Sequence, residues 1–197
     1  MLNGQSFILL NPGGRIAADE KHLLIIAVLL MLIVVLPVII LTLSFAWRYR
    51  AGNSKASYLP NWEHHARLEV LWWSIPCVIV AILATITWFS SYRLDPYRPL
   101  AVSASKELTI QAVALEWKWL FIYPEQNIAS LNFIQVPVGV PLHFLITAEG
   151  PMNALHIPQL GGQIYAMAGM QTQLHLIADL PGRYRGLATN FSGEGFS

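Results

Sequence analysis

Cysteine is almost absent from this sequence. The only one among its 197 residues is Cys77, which lies inside a long apolar run. No disulfide can form within the chain, so a domain outside the cytoplasm must be held together by packing alone. The C-terminal half also has no thiolate, the soft ligand that blue-copper and dinuclear copper centres require.

Charge is scarce as well. Only 12% of the residues are charged, whereas an ordinary soluble domain has about 25%. The formal net charge of +1 gives no basic field, so nucleic acid is excluded as an expected partner. The deficit of charge falls mainly in two apolar segments, which indicates a membrane protein.

Those two segments, residues 23–47 and 70–92, carry no charged side chain. As a helix, the first would be about 37 Å long, enough to cross a hydrocarbon core of about 30 Å. It is also longer than the apolar core of about 7–15 residues in a signal peptide. The sequence therefore predicts a transmembrane helical hairpin over residues 23–92, preceded by a lead-in at 1–22.

Basic residues indicate the orientation of this hairpin. The loop at 48–69 carries four of them, and the lead-in carries two, Arg15 and Lys21. Because loops rich in lysine and arginine stay in the cytoplasm, the loop is predicted to be cytoplasmic. Both ends of the chain are then predicted to lie on the opposite side of the bilayer.

After the second apolar segment, the sequence pattern changes from long apolar runs to short ones. Residues 93–106 are rich in proline and serine and are interpreted as a tether. From residue 107 to 197, short apolar runs alternate with turn residues, which predicts an all-β sandwich or barrel. Strands are predicted at 108–115, 117–123, 131–136, 142–147, 173–178 and 183–189. Strict alternation in the second predicts one shared face for Trp117, Trp119, Phe121 and Tyr123.

Few residues suggest chemistry on their own. Three histidines of the β-domain, His143, His156 and His175, are of a type that binds zinc or copper(II), but their spacing matches no compact ligand signature. We therefore expect structural histidines and no metal site. Glu69 opens the second span, where a carboxylate either feeds protons into a membrane pathway or complements the helix dipole.

Longer motifs carry a family resemblance. They are LMLIVVLP at 30–37, FAWRYRA at 45–51, PNWEHHARLEVLWWSIP at 60–76, EWKWLFIYPEQ at 116–126 and QIYAMAGMQT at 163–172. Together they resemble subunit II of the haem–copper respiratory oxidases, in the quinol-oxidising, bo-type branch. The resemblance implies a two-helix membrane hairpin followed by a cupredoxin-like β-sandwich that lies in the periplasm of a bacterium.

The resemblance also implies a function. The chain is expected to be a non-catalytic subunit of a proton-pumping terminal oxidase of the inner membrane, which oxidises quinol and reduces oxygen to water. The haems, the copper and the quinol site are then expected in the partner, subunit I, beside further membrane subunits. A membrane-tethered scaffold or binding protein outside any oxidase remains the alternative.

The same resemblance implies what individual residues do. In copper-bearing relatives, the first copper histidine falls on Asn153, two cysteines fall on Phe191 and Gly195, and an acidic residue falls on Gly193. These positions are expected not to bind metal here. Glu69 matches the subunit II glutamate at the mouth of a proton-input route. Because the family continues past residue 197 into another strand, the domain is expected to be cut short at its C-terminus.

Overall fold

The computed structural model describes residues 8–57, 64–100 and 106–190. Within them, a short 3-10 helix at Ile8–Leu10 precedes two α-helices, α1 (Arg15–Arg48) and α2 (Ala66–Arg93). Eight strands follow: β1 (Leu108–Leu115), β2 (Lys118–Tyr123), β3 (Ile128–Leu131), β4 (Pro141–Ala148), β5 (Asn153–His156), β6 (Gln163–Ala166), β7 (Thr172–Ile177) and β8 (Leu187–Ala188). The chain divides into two compact units, Leu23–Arg93 and the described residues of Met1–His22 with Leu94–Ser197.

Both helices are long and apolar enough to cross a membrane, judged by length and composition. Their apolar side chains are largely exposed, as at Ile40 and Val70. α1 begins at Arg15, well ahead of the predicted start at residue 23, and α2 begins at Ala66. Exposed apolar helix surfaces of this kind suit a lipid or protein environment instead of water.

The strands form two sheets. The larger has the order β3-β2-β1-β4-β7, and the smaller has the order β6-β5-β8. β1 is parallel to β4 and antiparallel to β2, and β4 is antiparallel to β7. Alternate residues of the larger sheet face the smaller sheet and form the core, in which the most buried large side chains are Ile110, Leu142, Phe144, Ile146, Leu174 and Leu176. This confirms the predicted two-helix and β-sandwich architecture.

The aromatic strand differs from its prediction at one end. Trp119, Phe121 and Tyr123 are buried as expected, but Trp117 is 56% exposed. Leu115 pairs with Lys118, so Glu116 and Trp117 form a two-residue turn, and Trp117 has a φ of 57°. A tight hairpin turn requires such left-handed backbone, which rotates Trp117 out of the alternating pattern.

Several strand predictions need correction. The prediction for 131–136 is wrong, because β3 ends at Leu131 where Asn132 adopts a φ of 54°. The prediction for 183–189 is reduced to the two residues of β8. β5 and β6 were not predicted, since each is only four residues long and neither shows a clean apolar alternation.

The described part of the N-terminal segment packs on the β-domain. The amide of Gly13 donates to the carbonyl of Gln159 at 2.7 Å, and the amide of Asp179 donates to the carbonyl of Gly13 at 2.9 Å. The carboxylate of Asp179 accepts from the amide of Arg15 at 2.7 Å, which caps the start of α1. Ala17 is only 4% exposed. Residues 13–17 are therefore integrated into this domain.

Candidate functional site

Glu69 lies in the first turn of α2. Its carboxylate Oε1 accepts from the backbone amide of His65 at 3.3 Å, and the ring Nδ1 of His65 accepts from the amide of Leu68 at 3.4 Å. This reciprocal arrangement resembles a capping box. His64 places its Nδ1 3.4 Å from the same carboxylate oxygen.

This geometry gives Glu69 a structural role, because its carboxylate caps the start of α2. The sequence suggested a structural role only through the charge of Glu69 near the helix dipole. The side chain is still 43% exposed, so solvent reaches its carboxylate. A capping carboxylate at the start of an apolar helix is thus compatible with both interpretations of Glu69. The proton-entry role stays a prediction.

The structure brings together two of the three histidines of the β-domain. His143 of β4 and His175 of β7 are direct cross-strand partners, and their rings stack with centroids 4.4 Å apart and planes 9° from parallel. Glu107, which precedes β1, lies beside both rings. One ligand atom from each of the three residues lies within 4.8 Å of the other two.

Sequence reasoning missed this histidine–glutamate cluster, which consists of Glu107, His143 and His175. Its members are separated by long stretches of sequence, so no spacing signature marks them. They meet because the parallel pairing of β1 with β4 places Thr109 beside His143, and the antiparallel pairing of β4 with β7 adds His175. Glu107 had no apparent role in the sequence.

His156 lies apart from this cluster, on β5 of the smaller sheet. It is half-buried, and burial lowers its pKa below the ordinary value of 6.5, while the charge of Glu20 partly opposes that shift. Burial has this effect because it disfavours the charged imidazolium.

The lowered pKa of His156 predicts a pH-dependent stability. In the window between its folded pKa and 6.5, the unfolded chain binds more protons than the folded chain, so stability falls as the pH drops through this window. We expect His156→Gln to make the melting temperature of the chain in detergent depend less on pH within this window. An identical slope of melting temperature against pH in variant and wild type would contradict this assignment.

Asn153 occupies the expected position of a copper histidine. It is buried, and its side-chain oxygen accepts from the amide of Ala154 at 2.8 Å. An amide with its oxygen engaged in this way is a poor match for the imidazole and thiolate ligands of such centres. The other three expected positions, Phe191, Gly193 and Gly195, lie outside the described residues.

An open pocket of about 830 Å³ reaches from the surface of the β-domain to its core. Its walls include the core side chains of Trp119, Phe121, Phe144 and Leu155, and Tyr184 also borders it. Among the residues that the structure describes, its lining includes no histidine or carboxylate.

The fold places the chain in the class of two-helix membrane proteins with a cupredoxin-like sandwich. A solved chain from a structure described as a heme-copper terminal oxidase dimer aligns with a TM-score of 0.50 and 15% identity, covering 66% of this chain and 93% of its own length. This likeness shows the fold alone. No protein-family profile matches the chain.

Curated relatives show the family. The "Cytochrome bo(3) ubiquinol oxidase subunit 2" of Pseudomonas aeruginosa is 56% identical over 100% of this chain and 59% of its own length. The protein of the same name from Buchnera aphidicola subsp. Baizongia pistaciae is 41% identical over 100% of this chain and 68% of its own length. The chain belongs to the subunit 2 family of the bo-type ubiquinol oxidases, which confirms the family resemblance, and it spans about three fifths of the Pseudomonas relative.

Proposed function

We propose that this chain is the non-catalytic subunit II of a proton-pumping terminal oxidase that oxidises quinol and reduces oxygen to water. The observation that carries the proposal is similarity along 100% of the chain to a ubiquinol oxidase subunit 2. The two apolar helices and the β-sandwich are the parts that such a subunit needs for the membrane and for the periplasm.

The chemistry of the β-domain supports quinol, rather than a protein electron carrier, as the donor. A dinuclear copper centre needs cysteine thiolates, but residues 107–197 include no cysteine. Asn153, Phe191, Gly193 and Gly195 supply neither thiolate nor imidazole at the expected ligand positions. Electrons are therefore proposed to pass from quinol directly to subunit I, which carries the haems and copper.

The exposed helices support the proposed partners. Along α1 and α2 the apolar side chains face outward, which suits lipid, subunit I and the other membrane subunits. The hydrogen bonds between Gly13 and Gln159 and between Arg15 and Asp179 support the proposal that residues 13–15 share one side of the bilayer with the β-domain. In the inner membrane of a bacterium, that side is proposed to be the periplasm, and residues 48–69 are proposed to face the cytoplasm.

Glu69 is proposed to serve at the entry of a proton route. Its half-exposed carboxylate begins a helix whose next residues are apolar, which places a titratable group at the boundary between water and the membrane. Ionisable residues in such positions commonly mark proton pathways. The hydrogen bond to His65 holds the carboxylate in place.

Purification in mild detergent tests the proposed assembly. Tagged on its C-terminus and expressed in its native host, the chain is expected to co-purify with haem, because the partner subunit carries it. Haem is detected by its visible absorption and compared with a mock purification from the untagged strain. A scaffold outside any oxidase predicts no haem above that background, and this result would overturn the proposed function.

A further inference from the structure

We propose that Glu107, His143 and His175 form a binding site for a divalent transition-metal ion, and that this ion is zinc(II). The site lies on the face of the larger sheet that points away from the core, since the neighbouring residues Phe144 and Leu174 are the ones that face inward. It is independent of the proposed oxidase function and of the copper positions discussed above.

The hydrogen bonding of His175 is the first argument. Its Nδ1 lies 3.0 Å from the carbonyl oxygen of Pro96, and because a carbonyl only accepts, Nδ1 must carry a proton. In the neutral ring, Nε2 then presents a lone pair, and this atom lies 3.4 Å from Oε1 of Glu107. Two lone-pair-bearing atoms this close repel each other unless a proton or a metal ion lies between them.

The same hydrogen bond matches a known feature of metal sites. A metal-binding histidine generally donates its second ring N–H to a backbone carbonyl or carboxylate, which fixes the tautomer and aims the free nitrogen at the ion. His175 is 3% exposed, so its ring is held firmly. Its Nε2 is therefore already oriented as a ligand.

His143 distinguishes a metal ion from a simple proton. A proton on His175 would satisfy the contact with Glu107, yet it would add no hydrogen bond to His143. Nδ1 of His143 lies 4.0 Å from Oε2 of Glu107, which is too long for a hydrogen bond. Its Nε2 is buried and has no hydrogen-bond partner among the described residues. An ion between the three side chains would engage His143 through Nδ1, the ring nitrogen that lies 4.0 Å from Glu107.

The ligand set selects the ion. Two imidazoles and one carboxylate suit zinc(II), which binds nitrogen at about 2.0–2.1 Å and commonly keeps a fourth position for water. Such a site brings ligand atoms to roughly 3.3 Å of one another, so the present spread of up to 4.8 Å must contract. His143 is 21% exposed and is the ring free to tilt out of the stack.

Zinc binding by the full chain in detergent tests the proposal. The protein is purified without a histidine tag, stripped with a chelator and titrated with zinc against a competing indicator, and cobalt(II) serves as a spectroscopic probe. We expect saturable zinc binding at low micromolar concentration and visible cobalt bands typical of four-coordination. Zinc is also expected to raise the melting temperature.

Variants locate the ion. Glu107→Gln and His143→Ala each remove a proposed ligand, so each is expected to weaken zinc binding by at least the roughly 10- to 100-fold that loss of an outer-shell partner costs and to abolish the cobalt bands. His156→Ala removes a histidine of the same domain that lies outside the cluster, and it is expected to bind zinc like the wild type. No saturable binding, or equal loss in His156→Ala and Glu107→Gln, would overturn the proposal.

Discussion

Glu69→Gln is expected to lower the quinol-dependent oxygen consumption of the assembled oxidase by about tenfold, equivalent to about 1.4 kcal/mol in the barrier. Glutamine keeps a side-chain oxygen that accepts from the amide of His65, as Glu69 does at 3.3 Å, so the start of α2 stays capped. What it removes is the carboxylate that is proposed to take up protons. The measurement is the turnover of purified oxidase with a ubiquinol, normalised to haem content.

Two companion variants separate proton transfer from capping. Glu69→Ala removes both functions, and its loss of the cap costs about 0.5–2 kcal/mol in helix stability. Glu149→Gln removes an exposed carboxylate of the β-domain and is expected to leave turnover unchanged. Wild-type turnover in Glu69→Gln, with reduced assembly or turnover only in Glu69→Ala, would leave capping as the whole role of this residue.

Gly14→Ala is expected to destabilise the β-domain by about 1–3 kcal/mol, the usual range for overpacking. A Cβ at residue 14 would overlap the carbonyl oxygen of Ile177. That neighbour is main chain in β7, so it cannot move aside as a flexible side chain would. The N-terminal segment must therefore separate from the strand to which it packs.

Gly150→Ala is the matched control, because nothing lies within 4 Å of the added carbon there. Both variants of the full chain are melted in detergent and followed by tryptophan fluorescence. Gly14→Ala is expected to lower the melting temperature and to speed proteolytic cleavage within 8–22, whereas Gly150→Ala changes neither. Equal melting temperatures for the two variants would show that the contact between Gly14 and Ile177 is not formed.

The sequence predicted the elements that have strong periodic or compositional signals. The apolar runs predicted both helices, and the alternation from Trp119 to Tyr123 predicted the buried face of β2. Prediction from the sequence failed where a local turn overrides the alternating pattern, as at Trp117 with its φ of 57°. The same approach missed β5 and β6, because strands this short show no clear periodicity.

The site residues divide in the same way. The start of an apolar run and a family motif mark Glu69 as a candidate, and its proton-entry role stays a prediction. The histidine–glutamate cluster was not predictable, because Glu107, His143 and His175 meet only through the pairing of β1, β4 and β7. The hydrogen bond from Gly13 to Gln159 was also not predictable, because a polar segment with a turn motif does not indicate which residues it will pack against.

The choice of electron donor tests the central claim most directly. Oxygen consumption by the purified complex is measured with ubiquinol as the only reductant and, separately, with reduced cytochrome c as the only reductant. We predict steady oxygen uptake with ubiquinol and none above background with cytochrome c, because residues 107–197 include no cysteine to form a thiolate centre for its electrons. Sustained oxidation of cytochrome c in the absence of quinol would contradict the account.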